Sequence, residues 1–127
     1  YIMSNIGYVT EFIRNGANII FVITNDGWWG DTPGHRQHFE MSKLRAIENR
    51  RSIARSANTG ISGFINQKGD VVEKTNYWEP TALRNSLYTN DEITFYSKHG
   101  DYLYRIASFV AVMVICFTVV LSIIRKR

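Results

Sequence analysis

Residues 18–24 (NIIFVIT), 25–36 (NDGWWGDTPGHR) and 37–51 (QHFEMSKLRAIENRR) form the stretch on which the fold turns. The first run is β-branched and aromatic throughout, the pattern of a strand covered on both faces. The second is rich in glycine and carries two adjacent tryptophans, so it reads as a loop. In the third, Phe39, Met41, Leu44 and Ile47, with Ala46 beside them, predict a helix that turns these side chains inward. Strand, loop and helix in this order open an α/β layer, and the loop leaves the strand's C-terminal end, where such folds place their sites.

Working outward, residues 8–14 (YVTEFIR) put Val9, Phe12 and Ile13 on one helical face, and Asn15-Gly16 closes that helix as a C-cap pair. Residues 52–66 alternate as SIARSA and ISGFIN around Asn58-Thr59-Gly60, a hairpin pattern. A second turn, Lys68-Gly69-Asp70, precedes VVEK. Residues 75–97 predict an extended excursion with one more strand at 82–88. Tyr1 is not a methionine and no signal pattern follows it, so the start is expected to be a cut through a longer protein.

Residues 106–124 (IASFVAVMVICFTVVLSII) carry no charge, proline or glycine, and Arg125-Lys126-Arg127 follow. At 1.5 Å per residue the run is about long enough to cross a hydrocarbon core of ~30 Å. Ser108, Thr118 and Ser122 are tolerable there because their hydroxyls bond back to helix carbonyls. The basic flank predicts a cytoplasmic C-terminus and a globular part on the outer face. The expected organisation is a globular portion at 1–104 and a transmembrane helix with basic tail at 105–127. Much of the net charge of +4 belongs to this flank, which argues against a nucleic-acid surface. The single cysteine, Cys116, falls at membrane depth, where desolvation keeps it a thiol, and one cysteine excludes an intrachain disulfide.

In the loop, Trp28 and Trp29 with Asn25, Asp26 and Gly27 are either a structural plug or one apolar wall of a pocket for something greasy. Because exposed indoles are costly, at least one is expected to pack. His35, His38 and Glu40 have a ligand-like H-x-x-H-x-E spacing but too few donors for a closed metal site, and are read as positioning the helix start. Arg45, Glu48, Arg50, Arg51 and Arg55 are expected to be solvated ion pairs, except Arg55, which sits inside a strand beside the loop and is suited to hold a carboxylate or brace the loop. No supported Ser-His-Asp set, phosphate loop or dinucleotide fingerprint occurs. These residues by themselves do not specify an enzyme.

The stretch Val22-Ile23-Thr24-Asn25-Asp26-Gly27-Trp28-Trp29-Gly30-Asp31, then Pro33, His35, Gln37-His38 and Leu44-Arg45-Ala46-Ile47-Glu48, resembles the apolipoprotein N-acyltransferase family of the nitrilase, or carbon-nitrogen hydrolase, superfamily. Residues 51–62 (RSIARSANTGIS) are similar to the family's strand and turn, and Thr94-Phe95-Tyr96, Gly100-Asp101 and the last apolar helix continue the likeness.

The resemblance implies the C-terminal part of a nitrilase-like α-β-β-α sandwich, tethered to the outer side of a bacterial inner membrane. It implies ping-pong acyl transfer from a phospholipid, through a cysteine thioester, to the amine of a diacylated lipoprotein, without cofactor or metal. The family's nucleophile sits in a Cys-Tyr-Glu motif. Alignment places Tyr1 at its tyrosine and Ile2 at its glutamate, so the cysteine is expected just before Tyr1, with the glutamate base and lysine further upstream. No catalytic residue is then expected in this chain, which should be inactive alone. Trp28 matches a tryptophan of the family's active-site surroundings, on a mobile loop over the lipid entrance, and Trp29 is assigned to packing. Two other readings stay open: a membrane-tethered nitrilase-type amidase, and a non-catalytic scaffold, the latter supported by Ile2.

Overall fold

The computed structural model describes residues 6–125. The nucleophile-motif positions Tyr1 and Ile2, and Lys126 and Arg127 of the basic flank, lie outside the described residues. The elements run α1 (Ile6–Arg14), β1 (Ile20–Thr24), a short 3-10 turn (Gly27–Trp29), α2 (Pro33–Asn49), β2 (Ile53–Ala57), β3 (Gly63–Ile65), β4 (Val71–Lys74), α3 (Phe95–His99) and α4 (Tyr102–Arg125). Among the described residues the strands form one mixed sheet in the order β1-β2-β3-β4. β1 and β2 are parallel, with Val22 opposite Arg55, because α2 carries the chain back across the sheet. β2, β3 and β4 are antiparallel, joined by the two expected turns.

Both α1 and α2 pack on one face of this sheet. The core there is Val9, Ile13, Val22, Phe39, Ala46, Ile53 and Ile65, with Ile20, Ile61 and Val71 against it. Gly16 has φ +96°, and the Gly16 and Ala17 amides bond the Ile13 and Phe12 carbonyls, which closes α1 as expected. Phe12, placed with Val9 and Ile13 in the sequence reading, is exposed instead. The expectation that β1 is covered on both faces fails for the described residues: Phe21 is 73% and Ile23 90% exposed on the side away from the helices.

α2 begins four residues earlier than expected, because Thr32 caps it and Pro33 fits its first position. It ends at Asn49, where Arg50 turns left-handed at φ +50°. Its inward stripe is His35, His38, Phe39, Ser42, Arg45, Ala46 and Asn49. Met41, Leu44 and Ile47, expected inward, are exposed. A stripe of mostly polar residues is thus the packed one, and the apolar spacing pointed to its neighbour.

The strand expected at 82–88 is absent: the segment is irregular and moored by side chains. The Tyr88 carbonyl accepts from Ser52 Oγ (2.7 Å) and Gln67 Nε2 (3.1 Å), and Asn90 Nδ2 donates to the Arg50 carbonyl. α3, which the sequence reading did not anticipate, docks at the C-terminal end of α2 through Thr94 Oγ1 to the Glu48 carbonyl (2.7 Å) and Ser97 Oγ to Asn49 Oδ1 (2.9 Å). Among the described residues, α4 is the one helix long and apolar enough to cross a bilayer. It spans 24 residues, about 36 Å, and is exposed along its length, Cys116 included.

The charged cluster is another correction. Arg45 and Arg51 are buried rather than solvated, whereas Arg55, the expected exception, is buried and holds a carboxylate, that of Asp26. Arg51 is held by carbonyls: Nε bonds Ala17 (2.9 Å), and Nη1 bonds Asn49 (3.1 Å) and Glu92 (2.8 Å). It thereby joins the start of β1, the end of α2 and the segment leading to α3. Charge-assisted bonds to dipoles replace the lost water.

Candidate functional site

The loop between β1 and α2 is fixed from below by Asp26, whose side chain is fully buried. Its Oδ2 lies 2.7 Å from Arg55 Nη2 on the neighbouring parallel strand. Its Oδ1 accepts from Thr24 Oγ1 (3.0 Å) and from His38 Nδ1 (2.8 Å) on the second turn of α2. Arg55 is further bonded through Nη1 to Ser42 Oγ (3.0 Å) and through Nε to the Ile61 carbonyl (3.2 Å), and its guanidinium stands over the Phe39 ring. One carboxylate thus ties β1, β2 and α2 together at the end of the sheet where the loop emerges.

Burial by itself would raise the Asp26 pKa. The His38 hydrogen bond, then the Arg55 charge, outweigh that and hold it below the usual carboxylate value. Burial pulls Arg55 down from the ordinary arginine value, opposed by Asp26. At the far end of α2, burial raises the Glu48 pKa against the pull of Arg45, whose Nη1 is 3.1 Å away.

Above this base the loop is held by its own polar groups. Asn25 Oδ1 accepts from the Gly27 amide (3.1 Å) and from Thr59 Oγ1 (2.9 Å) in the β2–β3 turn. Gly27 fits so closely that a Cβ there would lie 2.5 Å from Thr59 Oγ1. Gly30 takes φ +56°, and the Trp29 carbonyl accepts from Thr32 Oγ1 (2.7 Å), leading directly into α2. The two indoles part company. Trp29 is 42% exposed, leans on the His38 ring (5.3 Å between centroids) and occupies the space where a Gly34 Cβ would sit. Trp28 is 84% exposed.

Of the expected loop residues, then, the structure brings Asn25, Asp26, Gly27, Trp28 and Trp29 together on one turn. Trp29 is the partly packed one. Asp26 faces inward and only Trp28 projects fully. His35, His38 and Glu40 have separate partners: His35 stacks on Tyr77 (4.0 Å, 19°), His38 bonds Asp26, and Glu40 pairs with Lys43 (2.6 Å). No group of three His, Cys, Asp or Glu among the described residues could hold a metal ion. Sequence reasoning missed Thr59, Ser42 and the Tyr77 stack. The Asn25-Asp26 pair at the start of the loop and an arginine in the next strand were the available signals for the ion pair; Thr59 was marked only as a turn residue, and nothing in the sequence marks Tyr77.

Between α1 and β1, on the same side of the sheet as His38, lies an apolar cavity of about 350 Å³ lined by Tyr8, Val9, Phe12, Ile20 and Val22.

The profile of the carbon-nitrogen hydrolase family matches residues 8–90, which take in the loop, α2 and both hairpins. An apolipoprotein N-acyltransferase of Chlorobaculum tepidum is 41% identical over 95 residues, covering 75% of this chain and 18% of that protein. That of Agrobacterium fabrum is 38% identical over 114 residues, 88% of this chain and 21% of that protein. Apolipoprotein N-acyltransferase 1 of Treponema denticola is 31% identical over 127 residues, 94% of this chain and 23% of that protein. The chain therefore spans about a fifth of the length of these curated relatives.

Proposed function

This chain belongs to the carbon-nitrogen hydrolase family, and on that premise we propose that it is part of a membrane acyltransferase moving an acyl chain from a phospholipid, through a cysteine thioester, to the terminal amine of a diacylated lipoprotein. The observation that carries this reading is Trp28: a nearly fully exposed indole on a loop whose base is locked by a buried carboxylate. A soluble domain gains nothing by exposing so large an apolar face, whereas an acyl chain or glyceride backbone would cover it.

In this reading a thiolate outside the chain attacks the ester carbonyl and the lysophospholipid leaves as its alcohol. The lipoprotein amine then attacks the thioester and releases the thiol. This chain supplies Trp28 as an apolar wall, Asn25 and Gly27 as the loop's frame, and Asp26 as its anchor. Trp29 packs the loop onto α2. The uncovered face bearing Phe21 and Ile23 supports the sandwich reading, in which a second sheet lies against it. Residues 1–104 would be the partial hydrolase-like domain and 105–127 the anchor and tail. The length and apolar surface of α4 support placing the domain at the outer face of a bacterial inner membrane with the C-terminus inside.

The test uses the full-length protein in detergent, a phospholipid labelled in its acyl chain and a diacylated lipopeptide. A labelled thioester followed by a triacylated peptide is expected. Release of ammonia or an amine from an added simple amide, with water as the acceptor and no transfer to the peptide, would instead establish the amidase alternative. Neither product from the intact protein would point to the scaffold reading.

A further inference from the structure

We propose that the cavity of about 280 Å³ beside the loop, between the β2–β3 turn and residues 75–81, is a binding site for an ammonium group. It sits at the same end of the sheet as Trp28, because β2 runs parallel to β1 and its C-terminal turn carries the wall. Thr59, one of its lining residues, is bonded to Asn25 of the loop, so the cavity and the loop share a side chain.

The chemistry of the lining selects the ligand. Asn58, Thr59, Ser62 and Thr75 offer neutral polar groups, Glu79 a carboxylate and Trp78 an indole, and no Lys, Arg or His takes part. A phosphate would find no positive charge there. A cation finds a carboxylate and a π face, the pair that recognises primary and quaternary ammonium groups. Two of the hydroxyls are committed to the wall: Ser62 Oγ accepts from the Ala57 amide (3.0 Å) and Thr75 Oγ1 from the Ser62 amide (3.1 Å). Thr59 Oγ1 is likewise bonded to Asn25, and of the remaining lining groups (Asn58, Trp78, Glu79 and Thr81) only Glu79 carries a charge and only Trp78 a π face, so these two are the recognising groups.

The backbone at Trp78 points the same way. Its φ of +61° is a left-handed conformation that a bulky L-residue keeps only when its surroundings impose it. Those surroundings are specific. Tyr77 is clamped by its stack on His35, and Asn76 Nδ2 donates to Glu79 Oε2 (2.7 Å). The result is an indole left 63% exposed beside a carboxylate, one of whose oxygens is already oriented.

Binding of the ammonium group does not depend on the acyltransfer reading, but its role does. Either the headgroup amine of a phospholipid donor or the terminal amine of the acceptor would fill the site. The direct test is ¹⁹F NMR of the full-length protein labelled with 5-fluorotryptophan, with Trp78→Phe assigning the resonance, titrated with tetramethylammonium chloride against sodium chloride. A saturable shift of the Trp78 signal is expected from the first salt alone, weakened about tenfold in Glu79→Gln, an exposed position where folding is not at risk. Absence of saturation, or the same shift from both salts, would overturn the site.

Two kinetic arms then separate the sources. For the donor, the ratio of thioester formation from ethanolamine-headgroup over glycerol-headgroup phospholipid falls several-fold in Glu79→Gln. For the acceptor, the KM for the diacylated peptide rises and that ratio stands. If no donor gives a thioester in the unaltered protein, the acyltransfer reading falls, and the tetramethylammonium titration still decides the site.

Discussion

Arg55 Nη2 and Asp26 Oδ2 meet at 2.7 Å with both side chains wholly buried, one on β2 and the other at the first turn of the loop that follows β1. The pair is the joint between the sheet and the loop. Asp26, with no exposure and three polar partners (Thr24, His38 and Arg55), is committed to the base of the loop, in keeping with the anchor role proposed above.

Removing one half of that joint leaves a buried, uncompensated charge. Asp26→Asn is therefore expected to cost about 3 kcal/mol or more, and Arg55→Met a similar amount. The double variant should recover much of the loss, because a buried pair costs desolvation that an apolar contact does not. Thermal or denaturant unfolding of the four proteins, set out as a double-mutant cycle, measures the coupling. Strict additivity of the two losses would mean that the pair is not the joint.

Acid should loosen the same joint. The folded pKa of Asp26 is lowered, so its contribution is present above the unfolded carboxylate value of about 3.9 and is lost as pH falls through the folded value. Glu48 has the opposite sign: its folded pKa is raised, so its contribution is present below about 4.3 and lost as pH rises through the folded value. Unfolding measured from pH 7 downward should show the unaltered protein losing stability below about pH 4, with Asp26→Asn showing a flatter profile there. An equally steep acid loss in the variant would assign it to other carboxylates.

How far the sequence could be read follows from which residues carry local information. The run at 18–24, the turns at 58–60 and 68–70 and the apolar stretch of α4 each announce themselves by composition, and each yields the expected type of element, the strand itself covering 20–24. α2 forms where a helix was expected, though it starts four residues earlier, and only Phe39 and Ala46 of the side chains expected inward are buried. Its inward stripe is largely polar, since His38, Ser42 and Asn49 pair with Asp26, Arg55 and Ser97, which come from elsewhere in the chain. Met41, Leu44 and Ile47 carry the apolar signal and lie on the exposed side. The strand expected at 82–88 failed for a related reason: partners for its backbone come from Ser52 and Gln67, not from a neighbouring strand. Arg55 was marked by its type and position, but its partner is set only once β1 and β2 pair.

The orientation of α4 is open to a direct measurement. A reporter that works only in the cytoplasm, fused after Arg127, is expected to be active, and one that works only outside to be silent. Activity of the outside reporter alone would reverse the topology and move the globular part to the other face. Cys116→Ser should leave acyl transfer within about twofold of the unaltered protein, because a thiol on the exposed surface of an apolar helix has no base to ionise it. A labelled thioester mapped to Cys116 would contradict this.

The two indoles give the sharpest separation of structure from function. Trp29 packs on His38 and on the first turn of α2, so Trp29→Ala removes support from the loop, and a loss of about 1–3 kcal/mol is expected. Trp29→Phe keeps an aromatic ring in that space and should be mild in stability and rate. Trp28 touches little in the folded chain, so Trp28→Ala should leave unfolding unchanged within about 0.5 kcal/mol. Its rate effect should be large, about tenfold or more in thioester formation, because the exposed face of a tryptophan is worth one to a few kcal/mol when a lipid covers it. Thioester formation is measured apart from transfer to the lipopeptide, with unfolding of each variant as the control. Equal losses of stability and activity in Trp28→Ala would make the residue a plug, and an unaltered rate would remove it from the mechanism.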